Sequence, residues 1–166
     1  MSTLAERLQN KQHKRQEDTC LLLDVSGSMQ NMLLTGEKKI DALKIIIRDF
    51  PNVRQFSFSD DCEERPPTNA QGGTNMANAF NVVKEAGLRH CILVTDGLPD
   101  SRQNALRAAT GLRIDIIYVG PLPPPQFLRD LALRAKGALS VENLSIPKQL
   151  KEKIYLLLDR TPPNDK

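Results

Sequence analysis

Apolar residues along this chain follow two alternating patterns. Short apolar or alternating runs at 19–23, 53–58, 90–95, 113–119 and 138–142 predict strands. Longer stretches at 38–50, 74–86, 102–110, 126–136 and 147–160 repeat their apolar residues every three or four positions and predict helices. In the first helix the spaced residues are Ile40, Leu43, Ile46, Ile47 and Phe50, and Pro51 ends it. In 113–119, Ile114, Ile116 and Tyr118 face one way and Asp115, Ile117 and Val119 the other, which suits a strand covered on both sides. Strands alternating with helices predict an α/β fold: a doubly wound, mostly parallel sheet flanked by helices on both faces, since each parallel crossover must return over the sheet. The polar stretch 62–65, just before Pro66 and Pro67, predicts one short antiparallel edge strand guarded by charge and proline.

Local chemistry sharpens the boundaries. Gly87, Gly111 and Gly137 are expected helix stops, Ser101 is a cap, and Asn75 is a helix start. The proline-rich bend 120–125 reads as a stiff connector. Residues 1–18 are polar apart from Leu4 and Leu8 and form an expected lead-in, either a frayed amphipathic helix or disordered. The domain is expected over 19–160, with 161–166 as a loose tail.

Composition narrows the class. At 166 residues, 40% hydrophobic and 26% charged, the chain is sized for one globular domain that needs no disulfides. Aromatic residues are 4% with no Trp, so the core is aliphatic and stacking on single-stranded nucleic acid has little to work with. The net charge of +3, with acids interleaved among the basic clusters at 11–15 and 148–153, reads as a solvated surface and argues against direct nucleic-acid contact. No apolar run has the length of a membrane span and no signal-peptide core is present, so the expected partner is not a membrane and the expected location is cytoplasmic. Cys20, Cys62 and Cys91 are an odd set without a Cys-x-x-Cys pair, as expected for reduced, mostly buried thiols.

Candidate chemistry concentrates at strand ends. The run 21–29 places Asp24, Ser26 and Ser28 after three leucines, with Gly27 expected to turn the backbone so that their oxygens converge. One carboxylate with two hydroxyls is a hard-oxygen set suited to Mg2+, with Mn2+ the alternative. The glycine-rich stretch 71–75 adds Thr74, and the apolar run ending at 93–97 adds Asp96. With these pieces in this order, the chain resembles the von Willebrand factor type A family, whose metal-ion-dependent adhesion site uses Asp-x-Ser-x-Ser, then a Thr, then an Asp. The resemblance covers nearly everything from Thr19 onward and implies a Rossmann-like sheet with the site beyond its carboxyl ends. It also implies that Ser26 and Ser28 ligate directly, that Thr74 ligates directly or through water, and that Asp24 and Asp96 hold waters. In the implied fold Cys20 and Cys91 begin neighbouring strands, so a bridge is open to them, although free thiols are the expectation.

By resemblance, the function is a protein-protein interaction module whose metal captures a Glu or Asp of a partner protein. Cytosolic relatives often act beside AAA+ ATPases or within other multi-subunit assemblies. An alternative is a structural subunit of a larger complex, including a ribonucleoprotein, acting through another surface such as the 148–153 helix face. An Mg2+-dependent phosphatase-like enzyme is the lesser alternative. The haloacid dehalogenase phosphatases carry a second acid where Ser26 stands, and neither His13 in the lead-in nor His90, expected at the far end of its strand, is placed to act as a base. No enzymatic activity is therefore expected.

Overall fold

The computed structural model describes residues 18–159, in which strands and helices alternate. The strands are β1 (Thr19–Asp24), β2 (Arg54–Phe58), β3 (Cys62–Glu63), β4 (His90–Thr95), β5 (Arg113–Tyr118) and β6 (Leu139–Val141). The helices are α1 (Lys39–Ile47), α2 (Met76–Glu85), α3 (Arg102–Ala108), α4 (Gln126–Arg134) and α5 (Pro147–Asp159). One sheet runs in the order β3-β2-β1-β4-β5-β6, and every pairing is parallel except that of β2 with the short edge strand β3. From β1 the chain goes to β2 on one side and later to β4 on the other, so the strand order reverses between β1 and β4. That is where such sheets open a crevice for ligands.

Period-two alternation divides each central strand between two cores. Cys20, Leu22, Cys91, Leu93, Ile114 and Ile116 pack with Phe80, Val83, Leu128 and Leu131 of α2 and α4, and with Ala105 of α3. Leu21, Leu23, Ile92, Val94 and Ile117 pack on the other face with Leu43 and Ile46 of α1 and with Leu150 and Ile154 of α5. Burying one such aliphatic side chain contributes about 1.5–3 kcal/mol, so the two layers together commit the sheet to this register.

The expected elements are all present within the described residues, and their ends differ in informative ways. The first helix stops at Ile47 rather than Phe50, because residues 48–50 tighten into a turn that still buries Phe50. Asn75 and Ser101 are caps, accepting from the N–H groups of Asn78 and Asn104 at 3.1 and 3.2 Å. After α4 the left-handed position falls on Lys136, with φ 58°, one residue before the expected stop at Gly137. Gly137 matters for a different reason. A Cβ there would collide with the backbone of Ile114, so its missing side chain lets the α4–β6 connection lie directly on β5. Cys20, Cys62 and Cys91 are free thiols, and Cys20 and Cys91 face each other as register partners of β1 and β4 without bonding. The expected lead-in and tail lie largely outside the described residues.

At the amino end of the parallel strands, buried Asp115 of β5 accepts from His90 Nε2 at 2.7 Å and from Ala138 N–H at 2.8 Å, while Thr19 Oγ1 lies 2.9 Å from His90 Nδ1. Burial alone would raise the Asp115 pKa, but these hydrogen bonds and the nearby Arg113 charge leave it below the ordinary carboxylate value.

Gly137→Ala is expected to destabilise the domain by about 2–3 kcal/mol in urea denaturation, since backbone rather than a pliable side chain must move. Asp115→Asn tests the buried carboxylate. Its folded pKa is depressed, so its contribution is complete above the unfolded carboxylate value near 3.8 and is lost as pH falls through the lower folded value. The stability gap between wild type and Asp115→Asn should therefore be present at neutral pH and close only below about pH 4 in denaturation curves.

Candidate metal centre

β1 and β4 end side by side at the strand-order reversal, with Asp24 closing β1 and Asp96 directly following β4. Asp24 is fully buried, and its two carboxylate oxygens accept from Ser26 N–H at 2.8 Å and Thr95 Oγ1 at 2.7 Å. Burial pushes its pKa up to about 6; hydrogen bonds from Ser26 and Thr95 pull it down, and the Asp96 charge pushes it further up. Past Asp24 the chain does not stay extended. It enters a single 3-10 turn at Gly27–Gln30 that swings Ser28 back toward β4. Ser28 Oγ then donates to Asp96 Oδ1 at 2.7 Å and lies 3.3 Å from Ser26 Oγ. Gly27 opens this turn, where the sequence places it, and its own N–H donates to Gly72 O at 2.9 Å.

Four loops are stitched together here by backbone hydrogen bonds. Gln71 N–H donates to Val25 O, Asn75 N–H to Ser59 O, and Asp100 N–H to Thr74 O, all at 2.8–2.9 Å. Carboxylates clamp the glycine-rich turn from outside: Asp60 Oδ1 accepts from Gly73 N–H and Asp100 Oδ1 from Thr74 N–H, each at 3.0 Å. Gly72 adopts φ +83°, and a Cβ there would meet Asp60 Oδ2 at 2.6 Å, so this approach needs glycine twice over. Asp24, Ser26, Ser28 and Asp96 therefore form one hydrogen-bonded chain, and Thr74 is tied through its backbone to Asp100, four residues past Asp96.

Among the described residues there is no group of three or more His, Cys, Asp or Glu side chains placed to hold a metal. Any ion here would depend on hydroxyls. Adjacent oxygens of an octahedral Mg2+ shell lie about 3 Å apart, given ligand distances of roughly 2.1 Å. The Ser26–Ser28 oxygen separation of 3.3 Å is near that value, the 2.7 Å from Ser28 Oγ to Asp96 Oδ1 is that of a hydrogen bond, and hydroxyls beside carboxylates are the hard-oxygen kind of donor a small cation takes.

Two participants carry little local signal in the sequence. Thr95 reads there simply as the last residue of a strand, yet it is fully buried and donates to Asp24. Lys39 reads as a solvated helix start beside Lys38, yet its Nζ donates to Asp96 Oδ2 at 3.1 Å inside the protein. The periodicity does hold a hint, because Lys39, Leu43 and Ile46 lie on one helical stripe and all three are buried.

Thr95→Val keeps the shape of the side chain and removes the donor to Asp24. It should cost roughly 1–3 kcal/mol in chemical denaturation, with an unchanged circular dichroism spectrum, because a buried carboxylate oxygen loses its partner.

No protein-family model and no curated protein matches the sequence. Solved structures do match. A von Willebrand factor type A protein from Catenulispora acidiphila aligns with a TM-score of 0.63 and 18% identity over 82% of this chain and 41% of its own. Proximal thread matrix protein 1 from the mussel byssus aligns with a TM-score of 0.61 and 13% identity over 85% of this chain and 45% of its own. The chain thus spans less than half the length of either neighbour. Identities this low speak to architecture alone, and together with the strand order and helix placement they lead to one conclusion: the chain has the von Willebrand factor type A fold.

Proposed function

We propose that this domain is a divalent-metal-dependent protein-interaction module that captures an acidic residue of a partner protein. The observation that carries the reading is the convergence of Ser26 Oγ and Ser28 Oγ, hydrogen-bonded to Asp96 Oδ1, at the carboxyl end of the sheet. A bound Mg2+ or Mn2+ would supply an electrophilic position for the partner's carboxylate. Ser26 and Ser28 offer neutral oxygens to the cation, Thr74 adds a third hydroxyl from the neighbouring loop, and Asp24 and Asp96 hold the negative charge behind them. Asp24 acts as a positioning residue, since both of its oxygens are already engaged by Ser26 and Thr95.

Binding rather than catalysis is the reading because a hydrolytic site needs a positioned base. Among the described residues the sole histidine, His90, is engaged with Asp115 and Thr19 at the other end of the sheet. No described helix is long and apolar enough to cross a membrane. Free Cys20 and Cys91 as strand neighbours fit a reducing, cytoplasmic setting. The resemblance adds that such a module serves as an adaptor within a multi-subunit assembly, for example one built around an AAA+ ATPase.

Ser26→Ala and Ser28→Ala should each weaken Mn2+ binding by about tenfold or more in titration calorimetry, with the circular dichroism spectrum preserved. A pull-down run in parallel in Mg2+ and in EDTA should retain the partner only with Mg2+. Equal retention in EDTA would move the contact to another surface and sink the proposal.

A further inference from the structure

A positive charge belonging to the protein already sits at this centre. Lys39 opens α1, and its ammonium donates to Asp96 Oδ2 at 3.1 Å, with 11% of the lysine side chain and 1% of the aspartate side chain accessible. Its backbone is fixed there too. Lys39 N–H donates to Asn31 O at 2.9 Å, and Asn31 N–H donates to Ser28 O at 3.0 Å, which ties the helix start to the serine turn. Buried Ile40 and Leu43 anchor the same helical turn in the core. The other Asp96 oxygen accepts from Ser28 Oγ at 2.7 Å. One buried carboxylate is therefore shared between a candidate ligand hydroxyl and a tethered cation.

We propose that Lys39 is a built-in counter-cation that competes with a divalent ion for Asp96 and so sets the metal affinity of the centre. The inference rests on the metal reading given above. Asp24 and Asp96 offer two carboxylates, and the Lys39 ammonium offsets one of them at a site where solvent screens little. In the metal-free protein the ammonium satisfies Asp96, which would otherwise be a buried carboxylate short of a partner. In the metal-bound protein the same ammonium repels the ion. A partner carboxylate arriving at this pole brings back the negative charge that Lys39 cancels, so metal and partner bind cooperatively, each weakly alone.

The test compares wild type, Lys39→Met, Lys39→Gln and Lys39→Arg as full chains without a partner. Mn2+ affinity is read by electron paramagnetic resonance, and melting temperature is read in EDTA and in Mg2+. Lys39→Met should bind Mn2+ at least about tenfold more tightly than wild type and gain more melting temperature from Mg2+. Lys39→Gln keeps a hydrogen-bond donor for Asp96 and should behave the same way, which covers the case in which the methionine variant does not fold. Lys39→Arg keeps the charge and should stay near wild type. Equal or weaker Mn2+ binding by both neutral variants, with wild type binding, overturns this inference and leaves the metal reading standing. Absence of Mn2+ binding in wild type and variants alike overturns both.

Discussion

A carboxylate sealed at the end of β1 dictates the arrangement around it. Asp24 has no access to solvent, so its oxygens must find donors within the protein. One comes from its own chain two residues on, and the other from Thr95 on the neighbouring strand. The second bond locks the ends of β1 and β4 together at the place where the strand order reverses. The serine turn can then fold back onto Asp96 only because these two strand ends are held in step.

Buried acids elsewhere obey the same rule with different partners. Asp96 is met by a serine and a lysine, and Asp115 by a histidine and a backbone amide. Each is satisfied locally, at one end of the sheet or the other, outside the two apolar clusters. The consequence is a division of labour. The layers hold the frame, and the chemistry collects in the loops of one pole, where hydroxyl and carboxylate oxygens converge on a frame that cannot shift its register.

Much of this is legible in the chain. β1 and β4 stand out as unbroken apolar runs, and Asp24, Ser26, Ser28 and Asp96 are visible because they cluster where those runs end. What the sequence conceals depends on contacts between distant positions. Lys39 meets Asp96 across 57 residues, and no local spacing announces that a lysine beside another lysine will turn inward. Thr95 looks like any β-branched strand residue until its neighbour across the sheet is known. Gly137 is legible only as a helix stop, yet it is needed for close approach to β5, while Lys136 takes the left-handed angle.

The outermost strands are short, two residues in β3 and three in β6. An exposed strand of ordinary length offers a row of unpaired amides and carbonyls on which another chain can add and propagate. Here neither flank is long enough to act as such a template, and paired charges, Arg54 with Glu64 and Glu63 with Arg65, stand over the β3 side. Among the described residues, edges this short and flanked by charge offer a neighbouring copy little to template strand addition.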